Sequence, residues 1–419
     1  MPKHNRFDKA ITLCVFIYIF WMFFYGLIIK FTIFNSTLFF LKTYVTDAVL
    51  VLIIVFSLAK KSRLTKNQFF FIAYMIVVVA LNLTVHGFSD DSITGLLYTV
   101  RGFIAPMIAA YCMLNVSIDR KHIDKLFDFL FAISILFLVS NTLLSYLQAR
   151  NGYQWASQFY TGYSFYGKDA YSKLRITMSR GMLRAPGISG GFTSSAMYSL
   201  ISLALILTKS KNRLTKLVFI LLAAISIGLT YNKTVIILFA IVLIMHLFSR
   251  MPHTFRYMLF LSMGGLLLLA FIVVVSQAGI ITDESGLTFS TLARVEFWTS
   301  IGDVVSPLEV IVPYNMLEYA ANGEGMLACW DNFYLYALFA FGIYGLYLFI
   351  DLSRKIVKVN IKKSSYNYNF YIYLAIMFFL AAIFNNVSNG KSFLGIFMLL
   401  NGAIWKFNNE QRNEKSEQL

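Results

Sequence analysis

Apolar runs of about 18 or more residues, each long enough to cross the roughly 30 Å hydrocarbon layer of a bilayer, recur along nearly all of this 419-residue chain. That pattern leaves few options. Inside hydrocarbon every backbone N–H and C=O must find a partner within the protein, and only helices and closed barrels provide it. A barrel would show short strands of alternating polarity, whereas these runs are continuous. Charged residues make up 13% of the chain, about half the share in soluble domains, and mean hydropathy is +0.68. The reading is an all-α polytopic membrane protein. About twelve transmembrane helices are predicted, near 10–29, 43–59, 68–84, 93–114, 126–147, 191–208, 217–230, 234–249, 257–276, 331–350, 369–386 and 393–407.

The net charge of +16 would suit nucleic acid if the cations formed one stripe. They do not. With the N-terminus inside, 24 of the 36 Lys and Arg fall in the start, 60–66, 120–125, 209–216, 250–256, 354–363 and the C-terminal tail. Those segments share one side of the membrane, and the positive-inside rule makes that side cytoplasmic, with both termini there. Nucleic acid is therefore not an expected partner. The first span lacks a small-residue cleavage site and is expected to stay as an anchor. Three cysteines and five histidines are scattered without metal-ligand spacing, so neither a metal nor another cofactor is expected.

Two long external connections interrupt the apolar pattern. The first, 148–190, is basic: Arg150, Lys168, Lys173, Arg175, Arg180 and Arg184 stand against Asp169. Aromatics interleave with these cations, from Tyr153 and Trp155 to Tyr171; they suit either interface anchoring or stacking on sugar rings. The second, 277–330, carries seven acidic residues against the single base Arg294. Loops this long are functional or disordered, and Trp298, Pro307, Pro313 and Trp330 favour order here. Opposite charge lets the two loops dock over an external cavity, with the first loop's cations serving something anionic.

Several residues sit where their type costs free energy or caps a helix. Arg101 lies mid-span, at about 2.5–3.5 kcal/mol on insertion scales, and needs a polar cavity or a carboxylate such as Asp47. In LTYNKT two short apolar runs meet without a loop. Tyr231 and Lys233 thus lie at a helix break whose unpaired backbone groups can bind an anion or a sugar, although a lone Lys there also snorkels to the interface. LRAPG puts Arg184 and a Pro–Gly turn before the sixth span, another candidate phosphate site. Arg294 and Trp298 share one face if helical, with Glu296 or Asp303 as alternative partners for Arg294. Asp331 opens the tenth span as an N-cap, a general base, or both.

LRAPG, LTYNKT, Arg294 with Trp298 leading to SPLEV, and DNFYLYALFAFGIYGL together resemble motifs of the O-antigen and capsule polysaccharide polymerase (Wzy) family. That family shares a GT-C-like, many-helix architecture with the O-antigen ligases, and the resemblance spans most of the chain as topology. Two positions depart from the pattern. Lys233 stands where Arg is usual, which weakens bidentate phosphate binding. Asp331 stands where ligases carry His before Asn, which favours polymerase over ligase.

The resemblance implies a metal-independent glycosyltransferase of the bacterial cytoplasmic (inner) membrane. It would move a glycan from undecaprenyl diphosphate to a second lipid-linked repeat unit, with membrane lipids and a chain-length regulator protein as further partners. Arg184, Lys233, Arg294, Arg101 and Arg180 would hold diphosphate, with Tyr231 and Trp298 against the sugars. Asp331 would be the base, with Glu296 and Glu324 in reserve. A flippase for lipid-linked oligosaccharide is the alternative from another class. No internal repeat supports it, and it needs no large acidic loop. The O-antigen ligase is the third reading.

Overall fold

The computed structural model describes residues 4–32, 35–60, 65–87, 89–114, 116, 118–159, 178–179, 182–250, 255, 258, 262, 306–314, 332–360, 368–384 and 394–400. Those residues are overwhelmingly helical. In chain order the helices are α1 (His4–Phe23), α2 (Tyr25–Thr32), α3 (Ser36–Ala59), α4 (Lys66–His86), α5 (Asp90–Thr99), α6 (Ala105–Leu114) and α7 (Arg120–Phe159). Then follow α8 (Phe192–Lys209), α9 (Arg213–Gly228), α10 (Lys233–Leu247), the short α11 (Pro307–Ile311), α12 (Phe333–Asn360) and α13 (Tyr368–Phe384). A π-helical turn, Val100–Ile104, joins α5 to α6.

Among the described residues five helices are long and apolar enough to cross a membrane, or six if the bent pair α1–α2 is one span. Segments 44–59, 233–247 and 369–382 are apolar but shorter. Outward faces carry large apolar side chains: Phe69, Phe70, Ile76 and Val77 on α4, and Leu214, Leu217, Leu221 and Ile225 on α9. Surface of this kind is what hydrocarbon solvates and water does not.

The helices run up and down between two ends. At one end Asp8 pairs with Lys60 and accepts from the Asp119 N–H (3.2 Å), and Lys209 pairs with Asp128. At the other, Leu27 N–H donates to the Ile188 carbonyl (3.1 Å), while Arg184 meets the segment after α9. Between them the core is aromatic. Phe103 stacks on Phe341 with centroids 4.1 Å apart, Phe333 meets Phe349 edge-on, and Phe378 stacks on Phe397 at 3.9 Å.

Three expectations need correcting. The first span is not one straight helix over 10–29: α1 and α2 meet at 77°. The cause is tertiary. Leu27 N–H bonds the Ile188 carbonyl rather than continuing the helical ladder, and Gly26 lies so close to Gly190 that a Cβ on it would come within 2.5 Å of the Gly190 nitrogen. The fifth span does not end at 147: α7 continues through a break at Gly152 to Phe159, so Arg150 and Trp155 are helical. The cap of α12 is Asn332, whose side chain accepts from the Tyr334 and Leu335 N–H groups at 3.0 and 3.1 Å, and not Asp331. The ninth predicted span, 257–276, lies outside the described residues apart from single positions.

Candidate functional site

The chain leaving the basic loop is tied down at every step. Residues 178–179 and 182–183 pair as a short antiparallel hairpin. Ala185 N–H donates to the Leu229 carbonyl (3.0 Å), which lays the LRAPG stretch alongside the turn between α9 and α10. Gly187 N–H then donates to Gln148 Oε1 (2.9 Å) and Ile188 N–H to Asn141 Oδ1 (2.7 Å). Gly187 has φ +59° and Gly190 +81°, values that side-chain-bearing residues rarely adopt.

Beneath this turn lies a polar knot in an otherwise apolar bundle. Asn141 Nδ2 lies 2.8, 3.1 and 2.8 Å from the hydroxyls of Ser195, Ser199 and Ser226, and all four residues are fully buried. The Ser199 and Ser226 hydroxyls also bond each other (2.9 Å). A buried amide is costly unless satisfied. Here it is satisfied by the turn it holds, so α7, α8 and α9 fix the position of residues 187–188.

The LTYNKT break is a tight turn, as the sequence predicts. Tyr231 takes φ +49°, a left-handed conformation that strains a bulky residue. Thr230 Oγ1 donates to the Ile227 carbonyl (2.6 Å). Asn232 caps α10 by accepting from Val235 N–H (3.2 Å), and its Nδ2 donates to Thr193 Oγ1 (3.4 Å) on the first turn of α8. That bond sets two helix N-termini side by side.

Arg184, Tyr231 and Lys233 are therefore brought together. The Arg184 guanidinium lies 4.6 Å from the Phe192 ring centre at the head of α8, and its Nη2 donates to the Tyr231 carbonyl (3.4 Å). The Tyr231 hydroxyl reaches Met182 Sδ (3.1 Å), and Lys233 is the first residue of α10. Two helix N-termini carry partial positive charge and outward N–H groups. With the Arg184 guanidinium beside them and Lys233 as the first residue of α10, the junction suits an anion with several oxygens.

Arg101 meets the alternative the sequence offered. Its Nε donates to Asp47 Oδ2 (2.5 Å), its Nη2 bonds the same oxygen, and its guanidinium lies 5.2 Å from the Tyr44 ring centre. Removing one member of a buried pair costs about 3–5 kcal/mol. Side-chain exposures of 17% for Arg101 and 29% for Asp47 reduce that to about 2 kcal/mol. Asp47→Ala is expected to lower the melting temperature in detergent, and Asp47→Ala/Arg101→Leu to recover most of the loss. A double variant no more stable than the single would remove the pairing role.

Arg180, Arg294, Glu296, Trp298, Glu324 and Asp331 lie outside the described residues. Sequence reasoning passed over Asn141, Gln148, Asn82 and His86. A signal existed for the amides, since each is a polar side chain inside an apolar run. No family model and no curated protein matches the chain in sequence comparison.

Proposed function

We propose that this chain is a polysaccharide polymerase of a bacterial cytoplasmic membrane, with about twelve spans, both termini cytoplasmic and its two long loops on the outer face. It transfers a glycan chain from undecaprenyl diphosphate to a hydroxyl of a second undecaprenyl-diphosphate-linked repeat unit. The observation that carries this reading is the Arg184–Tyr231–Lys233 junction, where two cations and two helix N-termini meet at the end of an apolar bundle.

Diphosphate leaves readily once its developing charge is neutralised, and Arg184 and Lys233 supply that charge without a proton to manage. The bond from the glycan's anomeric carbon to the diphosphate oxygen breaks, and one forms to the acceptor oxygen. The acceptor's proton passes to a carboxylate, for which Asp331 is the first candidate and Glu296 and Glu324 the reserves. Arg294, the single base of the acidic loop, is the third candidate cation for the transferring group. Apolar outer faces allow the lipid tails to enter from the bilayer.

The test is a gel of surface polysaccharide from a deletion strain complemented with the wild-type gene or Arg294→Ala. The deletion and Arg294→Ala are expected to show single repeat units only, with the variant protein expressed normally. Unligated polymer would point to a ligase and a unit trapped inside to a flippase. A normal chain-length ladder with Arg294→Ala would remove that residue from the site.

A further inference from the structure

Segment 306–314, inside the acidic loop, is tied to α4 by side-chain hydrogen bonds. Asn82 of α4 is fully buried, and its Nδ2 donates to the Pro313 carbonyl at 2.7 Å as well as to Val78 of its own helix at 2.9 Å. One turn on, His86 Nε2 lies 3.0 Å from the Tyr314 carbonyl. A carbonyl only accepts, so that nitrogen carries the hydrogen. Two turns before Asn82, the Tyr74 hydroxyl donates to the Phe341 carbonyl at 2.7 Å.

Those three contacts converge on a break in α12. Gly342 has φ +67° there, and a Cβ on it would lie 3.1 Å from the Tyr74 hydroxyl, 3.2 Å from the Val310 carbonyl and 3.3 Å from Pro313 Cδ. Residues 307–313 thus sit against the broken turn of α12, while α4 clasps both. Most of α4 is apolar and outward-facing. Its polar side chains at 74, 82 and 86 each reach a backbone carbonyl of another segment, so the hydrogen bonds specify position and add little to hydrophobic stability.

We propose that Asn82 and His86 are positioning residues that hold segment 306–314 against the α12 break and thereby set the geometry of the acidic loop. This role rests on the polymerase reading for its use: in the chain, Arg294 precedes the clasped segment by twelve residues and Asp331 follows it by seventeen. The clasp itself is testable apart from any activity.

Val310, half-buried beside the break, is replaced by cysteine in a Cys329→Ser background; Cys14 and Cys112 are buried. Labelling of Val310→Cys by a membrane-impermeant maleimide reports opening of the segment, and Met182→Cys, exposed on the hairpin of the other loop, is the control. Asn82→Ala/His86→Ala is expected to speed labelling of Val310→Cys about tenfold, because reaction through a transiently opened state follows its population. Met182→Cys should be unaffected, and His86→Gln, which keeps a donor, should label within about twofold of the unmodified clasp. Unchanged labelling at Val310→Cys, or equal acceleration at both cysteines, would overturn the proposal. Loss of long polymer in Asn82→Ala/His86→Ala tests the link to catalysis separately. If the polymerase reading fails, the labelling result stands.

Discussion

Arg184→Ala is expected to reduce chain extension by about 100-fold or more while the protein still inserts and remains folded. The magnitude is that of removing one charged donor aimed at a leaving group whose charge grows in the transition state. Folding should tolerate the change, because the Ala185, Gly187 and Ile188 backbone bonds hold the turn without the guanidinium. Arg184→Lys should restore only part of the activity. Ammonium keeps the charge but not the planar fork that grips two phosphate oxygens, and Arg184 Nη2 already donates to the Tyr231 carbonyl. Lys233→Ala should act in the same direction with a smaller loss, since a single ammonium sits at the head of α10.

The second large effect is on stability. Gly187→Ala should destabilise the protein by about 3–4 kcal/mol, from a left-handed backbone and an overfilled site together. A Cβ at Gly187 would lie 2.2 Å from Asn141 Oδ1 and 2.4 Å from Ser195 Oγ, in a knot with no exposure to relax into. A thermal-shift series on detergent-purified protein checks this, with Gly87→Ala as comparison. Gly87 also has positive φ, but a Cβ there meets nothing within 4 Å, so its cost should be limited to backbone strain. Equal losses at the two glycines would show that the knot does not specify the turn.

These contrasts mark what the sequence could and could not reveal. LTYNKT announced a break, because a short polar stretch between apolar runs must leave the hydrocarbon or satisfy itself locally. Arg101 announced a partner, and Asp47 was named as one, because a lone mid-span cation is too costly. Asn332 rather than Asp331 caps α12 because adjacent cap-forming residues differ by one position, and only geometry selects between them. The bend after α1 was illegible for another reason. No proline or glycine occupies position 24; the turn comes from Leu27 N–H bonding a carbonyl 161 residues away. The Asn82 clasp is of the same kind, its partner lying 231 residues along the chain. Composition and periodicity report what each residue needs, whereas these two features depend on which distant backbone group supplies it.

In the proposed reaction Arg184, Lys233 and the paired heads of α8 and α10 hold a diphosphate leaving group. Chain extension by the purified protein in lipid nanodiscs tests it most directly, with the undecaprenyl-diphosphate-linked repeat unit as the sole substrate. A ladder of lengthening products is expected with the wild-type protein, with release of undecaprenyl diphosphate in equal measure to the bonds formed. Arg184→Ala should give neither. A full ladder from Arg184→Ala/Lys233→Ala, or no extension by well-folded wild-type protein, would contradict it.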